Sequence, residues 1–331
     1  MSVRGRATVA LVAAGVLGAL LLAARVLTTA PRLPAAGAVV MIREGDGVGE
    51  IARRLATAGI VRSALLFRVW ARWSGRDRAL RPGTYRFAAP TEIPEVLTRL
   101  AAGVEPIEIT VPEGLTVREV TALVAARGLA SRADVGCLAA DPEFLLAAGV
   151  PGPQLEGYLF PDTYRFAPTA APGEILETMV RRFHERFDAD RHRRAAELGW
   201  TVNQVITLAS IVEKETGKPD ERPLVAAVLA NRLRLGMPLQ SDPTVIYGLP
   251  DFGGDLTRAD LARATPYNTY VVRGLPPGPI ANPGVAAIDA VLAPARSDAL
   301  YFVSRNDGSH EFSETLPKHN RAVDRYQRRS R

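Results

Sequence analysis

The sequence predicts an α+β protein in three parts: an N-terminal transmembrane helix, a small α+β module and a larger mixed α/β domain. Three observations predict it. An uncharged run, ATVALVAAGVLGALLLAA, covers residues 7–24 between arginines. A strand, glycine turn and helix occur twice in similar form, at 39–61 and 107–129. Beyond them, helical segments surround one helix at 201–217, TVNQVITLASIVEKETG, and give way to stretches dense in Gly, Pro, Tyr, Asn and Asp.

The apolar run is long enough to cross a bilayer as a helix. Arg4 and Arg6 precede it and Arg25 closes it. Cations of this kind stay in the cytoplasm, which sends the rest of the chain outside. The expected boundaries are a cytoplasmic N-terminus at 1–6, an anchor at 7–27 and a linker at 28–38. The competing reading is a cleaved signal peptide. Thr28, Thr29 and Ala30 are small, but Pro31 follows directly, so a retained anchor is favoured.

The 331 residues, 47% of them hydrophobic, can bury a sizeable core in two or three domains. A net charge of +6 and a pI of about 9.7 point to an anionic neighbour such as phospholipid or cell-wall polymer, not to a particular fold. The cations are almost all arginine; the lysines are Lys214, Lys218 and Lys318. Cys137 is alone, which excludes an intrachain disulfide, and its helical setting predicts a buried small residue.

The repeat pairs VVMIREGDGVGEIARRLATAGIV with IEITVPEGLTVREVTALVAARGL. Glu44 and Gly45 match Glu113 and Gly114, Val48 matches Val117, Glu50 matches Glu119, and Gly59 matches Gly128. The first unit continues with a helix near 63–73, a strand at 83–87 and a helix near 92–102. This strand–helix–helix–strand order at 39–104 resembles a LysM module, a fold that commonly holds N-acetyl-sugar polymers. The alternative is a structural spacer beside the membrane.

From 105 to 331 the chain reads as one larger domain. A helical stretch runs to about 149, then QLEGYLFPDTY at 154–164 reads as a loop or strand. Helices follow near 172–198, at the central segment and near 222–235. Residues 236–283 read as irregular, and such stretches inside a compact domain are usually functional. A helix near 285–293, a strand at 299–304, a turn at 305–309 and a helix from about 318 complete the order.

In the central helix, Thr201 is the expected N-cap and Gln204 completes a capping box. Gly217 is the expected left-handed stop. Val202, Val205, Ile206, Leu208, Ala209, Ile211 and Val212 cover most of the circumference, as in a buried helix. Two carboxylates, Glu213 and Glu215, end it about 160° apart, so they do not share one cleft. A carboxylate in such a place is costly unless paired or protonated. Burial and the negative end of the helix dipole both raise its pKa. That suits a general acid working near neutral pH. The plainer reading is a helix-end glutamate paired with an arginine, and periodicity does not choose between the two residues.

Four groups in this half share aromatic rings, amides, small hydroxyls and stiff backbone: the VEKET helix end, 156–164, LQSDPTVIYG at 239–248, and 265–284. Tyrosine faces stack on sugar rings while Asn, Gln and Asp bind hydroxyls. Together they suit a carbohydrate cleft, although each loop alone reads as turn chemistry. His184, His192, His310 and His319 lack metal-ligand spacing. No glycine-rich phosphate loop and no nucleophile elbow occurs. A cofactor on Lys214 would be out of place in an outward-facing domain.

At these motifs the chain resembles the YceG-like endolytic murein transglycosylase family. The matching residues are 156–164, LASIVEKET at 208–216, 239–248 and 265–284. Tyr301, Phe302 and Val303 match too, with His310, Phe312, Thr315, His319 and Asn320. The resemblance implies a membrane-anchored lyase that cuts nascent peptidoglycan strands between N-acetylmuramic acid and N-acetylglucosamine, leaving 1,6-anhydromuramic ends and terminating elongation. It implies Glu215, the second glutamate of VEKET, as the catalytic acid, with Glu213 behind it. It suggests Glu156, Tyr158, Gln240, Asp242, Thr244, Tyr247, Tyr267, Asn268 and Asn282 as sugar-binding candidates. Expected partners are glycan strands, the inner-membrane bilayer and peptidoglycan synthases, with no nucleic acid, cofactor or metal. The alternatives are a hydrolytic muramidase using Glu156 or Asp242 as second carboxylate, and a non-catalytic wall-binding scaffold.

Overall fold

A computed structural model describes residues 37–88, 91–249 and 252–328. The expected anchor at 7–27 lies outside them; among the described residues no helix is long and apolar enough to cross a membrane. The chain divides into two compact units. Of the described residues, one holds those up to Ile107 with Phe166–Thr169; the other holds Glu108–Arg165 and those from Ala170 onward.

The first unit runs β1 (Ala38–Ile42), α1 (Val48–Thr57), α2 (Ala64–Trp73), β2 (Gly83–Phe87) and α3 (Ile93–Ala102). This is the expected strand–helix–helix–strand order followed by a helix. β1 and β2 pair antiparallel, from Ala38 opposite Phe87 to Ile42 opposite Gly83. Alternation drives Ala38, Val40 and Ile42 inward, onto Ile51, Leu55, Phe67 and Leu97 from the helices. Val39 and Met41 face out.

The chain continues with β3 (Ile107–Thr110), which falls in the second unit from Glu108 on, α4 (Val117–Ala126), α5 (Arg132–Leu138), α6 (Pro142–Ala147) and β4 (Thr163–Phe166), in the second unit up to Arg165. β3 pairs with β4, and the Thr110 and Thr163 hydroxyls lie 2.9 Å apart. Helices α7 (Pro172–Arg186), α8 (Ala189–Glu197), α9 (Val202–Glu215), α10 (Arg222–Arg234), α11 (Asp242–Tyr247), α12 (Arg258–Ala262) and α13 (Val285–Leu292) follow. The hairpin β5 (Tyr301–Ser304) and β6 (His310–Ser313) precedes α14 (Leu316–Val323).

Helix α9 is the axis of this unit. Thr201 Oγ1 accepts the Gln204 N–H at 3.2 Å, and Gln204 Oε1 accepts the Thr201 N–H at 2.8 Å, closing the expected capping box. Every residue from Val205 to Val212 is buried, against α10 and α13 among others. Each large aliphatic side chain so buried stabilises by roughly 1.5–3 kcal/mol. The two polar side chains in that run are satisfied locally. The Thr207 hydroxyl donates to Asn203 O at 2.7 Å. The Ser210 hydroxyl donates to Thr207 O at 2.7 Å and accepts the Ile280 N–H at 3.0 Å.

The structure departs from expectation in four places. Gly217 does not stop α9 in a left-handed turn: the helix ends at Glu215, and Thr216 is extended at φ −142°. The buried Thr216 hydroxyl takes over that end, accepting the Lys218 N–H at 3.1 Å. Residues 236–283 are not wholly irregular, since α11 and α12 form there; Pro243 sits in the first turn of α11, where its missing N–H costs nothing. The turn after β5 leads into a paired strand, β6, where no strand was expected. Cys137 is exposed on α5, not buried.

Candidate active site

Glu215 is the last residue of α9, and its neighbourhood comes from three other elements. The Ser241 hydroxyl, just before α11, donates to Glu215 Oε1 at 2.5 Å. Oε2 has no hydrogen-bond partner among the described residues, and the side chain is half-buried, not sealed. Burial pushes the carboxyl up to about 7; the Ser241 bond opposes the shift, the nearby Asp242 charge adds to it, and His310 and Arg232 oppose it. Among the described residues no arginine forms an ion pair with it. At neutral pH the group is therefore poised between acid and base.

The surrounding groups are fixed by their own bonds. Asp242, exposed, accepts the Tyr270 hydroxyl at 2.6 Å. Arg232 is buried and donates to Leu300 O and Leu239 O, both at 2.7 Å. Its guanidinium lies 5.2 Å from the Tyr301 ring centroid, and Tyr301 stacks on His319, also at 5.2 Å. His310 Nδ1 sits 2.7 Å from Glu221 Oε2, and the His310 N–H donates to Glu221 Oε1 at 2.9 Å. The Thr216 hydroxyl reaches the same carboxylate at 3.4 Å, tying β6 to the residue after Glu215.

Glu213 points elsewhere, as the angular offset predicts. Its Oε1 accepts Arg222 Nη2 at 2.9 Å and its Oε2 accepts the Gly284 N–H at 3.0 Å. Glu113 Oε2 reaches the same Arg222 nitrogen at 3.5 Å. The paired helix-end reading therefore belongs to Glu213 and the unpaired one to Glu215.

A second buried acid, Glu156, lies at the other end of α11. It accepts the Val117 N–H at 3.0 Å, the Tyr247 hydroxyl at 3.1 Å and Asn282 Nδ2 at 3.5 Å. Burial pushes it up to about 7 against those first two bonds.

Residues 40–325 match the YceG-like family. The chain belongs to that family. An endolytic murein transglycosylase of Bacillus subtilis (strain 168) is 30% identical over 307 residues, covering 87% of this chain and 84% of that protein. One of Streptococcus pneumoniae (strain D39) is 31% identical over 317 residues; the match covers 86% of this chain but 57% of the pneumococcal protein. A 2.6 Å crystal structure of a yceG-like protein from Listeria monocytogenes superposes with a TM-score of 0.61 at 31% identity, covering 87% of this chain and 99% of that one.

Besides the buried Glu156, the sugar-binding candidates of this YceG-like chain fall into two groups. Gln240, Asp242, Tyr247 and Tyr267 retain exposed or half-exposed surface around α11. Gln240 holds φ +53°, unusual for a residue with a side chain, and the Tyr247 and Tyr267 rings lie 4.8 Å apart. Tyr158, Thr244, Asn268 and Asn282 are fully buried and present no surface to a sugar. Their polar atoms hold loops together. Tyr158 donates to Asn203 Oδ1 at 2.9 Å. Thr244 donates to Ser241 O at 2.6 Å, Asn268 Nδ2 to Arg263 O at 2.7 Å, and Asn282 Nδ2 to Leu115 O at 2.7 Å. Ser241 and Arg232 were missed as site residues. Ser241 stood inside a quoted motif; Arg232 gave no signal beyond being a cation in a helix.

Proposed function

We propose that the chain is a peptidoglycan lytic endotransglycosylase with Glu215 as its single acid–base group. The observation that carries this is a half-buried helix-end carboxyl with one oxygen held by Ser241 and the other free. The family and the relatives named endolytic murein transglycosylases supply the substrate class.

In the proposed reaction, protonated Glu215 donates from Oε2 to the oxygen joining muramic acid to the next glucosamine. The C1–O bond breaks as positive charge develops on the ring. The Asp242 carboxylate and the ionised Glu215 carboxylate are the nearby negative charges that favour it. The C6 hydroxyl of the same muramic residue then attacks C1 and returns its proton to Glu215. The sugar closes to a 1,6-anhydro form and the enzyme is restored. A glycosidase that uses water or a covalent intermediate needs two carboxylates. Internal attack needs one.

The reading includes the setting. The apolar segment at 7–27 anchors the chain in the bacterial inner membrane, facing 105–331 outward as the catalytic part. The first unit, with its LysM-like order, binds glycan, and synthases that extrude strands are the partners.

Mass spectrometry of digested glycan tests the chemistry. Wild type gives anhydromuramic ends and Glu215→Gln gives none while keeping its melting temperature. Reducing muramic ends would establish the hydrolytic reading, and full cleavage by Glu215→Gln would remove Glu215 from the mechanism.

A further inference from the structure

The second unit carries an open cavity of about 810 Å³ that the reaction at Glu215 does not use. Its size falls within the roughly 300–1,000 Å³ of small-ligand sites. It shares two chain segments with the Glu215 site. Pro243 lines it, next to Asp242 and two residues after Ser241, and Lys214 lines it one residue before Glu215.

The walls differ from those of a neutral sugar subsite. Ile246, Tyr247, Leu249 and Phe252 form an apolar side. Arg118, Arg132 and Lys214 supply cations, and Glu119 and Glu156 supply acids. Arg118 and Arg132 are exposed, and among the described residues neither guanidinium has an ion-pair or hydrogen-bond partner. The Glu119 carboxylate is committed to the α4 cap, accepting the Thr116 N–H and hydroxyl at 2.8 Å each. Burial keeps Glu156 largely protonated up to about pH 7. Three cations less one carboxylate leave an excess of two positive charges when Glu156 is neutral.

We propose that this cavity binds the ionised peptide substituent of a muramyl sugar: Arg118 and Arg132 take its carboxylates, and the side formed by Ile246, Tyr247, Leu249 and Phe252 takes its apolar groups. A planar guanidinium with no internal partner is suited to bidentate carboxylate recognition. This rests on the reading of peptidoglycan as substrate.

The test is binding, not turnover. Calorimetry on the intact chain compares a muramyl tripeptide bearing free carboxylates with the same compound amidated. Wild type binds the free acid at least fivefold more tightly, and the Arg118→Gln/Arg132→Gln double variant loses that preference. Both arginines are exposed, so its melting temperature should match wild type. A chito-oligosaccharide without peptide should bind wild type and double variant equally. Equal binding of acid and amide by wild type, a preference that survives in the double variant, or no binding of either compound overturns the proposal. Anhydro products from a wild type without the preference would leave the catalytic reading standing and remove this one. A preference without any cleavage would do the reverse.

Discussion

Glu215 and Glu156 flank the two ends of the same short helix, α11, and burial pushes both up to about 7. In every other respect they differ. Glu156 is 4% exposed and accepts three donors, from α4, α11 and the 280s loop. Glu215 accepts one donor and keeps an oxygen free. A carboxyl that already accepts three donors has most of its lone pairs engaged and acts as a knot between elements. A carboxyl with a free oxygen on a half-open face can hand a proton on. A raised pKa marks candidates; unspent hydrogen-bonding capacity and access separate the acid from the knot.

The sharpest way to break this contrast is to neutralise each acid in turn. Glu215→Gln should lose about 10²–10⁴-fold in kcat/KM, the range expected for removal of a general acid. Glu156→Gln should stay within about tenfold of wild type, because the amide oxygen can still accept the Val117 N–H while the amide NH2 donates to the Tyr247 hydroxyl oxygen. Equal losses in a strand-cleavage assay would merge the two roles.

The next effect is on stability. Gly157, beside Glu156, holds φ +90°, and a Cβ there would lie 2.5 Å from Pro279 Cγ and 2.7 Å from Ile206 Cγ2. Strain and overlap add, so Gly157→Ala should destabilise by on the order of 4 kcal/mol in denaturant unfolding. A loss below about 1 kcal/mol would mean that the loop carrying Glu156 is not pinned against α9.

What the sequence disclosed and what it hid follow the range of the forces involved. Helix α9 was legible because its cap, its apolar face and the angular separation of Glu213 and Glu215 are all set within a few residues. That Glu213 would take Arg222 was not, since Arg222 reaches it through the turn of chain after Thr216. Helix α11 hid behind Ser241, Asp242 and Pro243, which serve a turn or a helix start equally well. Tyr158, Thr244, Asn268 and Asn282 looked like sugar ligands because amides and hydroxyls in loops are ambiguous. Only long-range partners decide: Asn282 bonds Leu115, 167 residues away. Arg232 was invisible for the same reason, its partners being carbonyls from Leu239 and the start of β5.

Glu156 offers a smaller effect with a sign that can be worked out. Its folded pKa lies above its unfolded value, so between about 4.5 and 7 the folded state binds the extra proton. Stability contributed by that proton is present at low pH and falls as pH rises through this window. A full shift corresponds to about 3 kcal/mol. Wild type should therefore lose up to that amount of stability relative to Glu156→Gln between pH 4.5 and pH 7.5. Parallel pH curves for the two proteins would show that Glu156 is not the titrating group.

The smallest predicted change separates the two acids most cleanly. The Ser241 bond favours the ionised form of Glu215 and so opposes the upward push of burial. Removing it in Ser241→Ala should raise the pKa further. A hydrogen bond to a charged group is worth about 1.5 kcal/mol, or roughly one pH unit. Because the first step needs protonated Glu215, kcat/KM falls on the alkaline side, and that limb should move up by about one unit in Ser241→Ala. The same limb should not move in Glu156→Gln, whose carboxyl contacts Tyr247 at the far end of α11. A limb that followed Glu156 and ignored Ser241 would exchange the two roles, making the enclosed acid the proton donor and Glu215 the buried support.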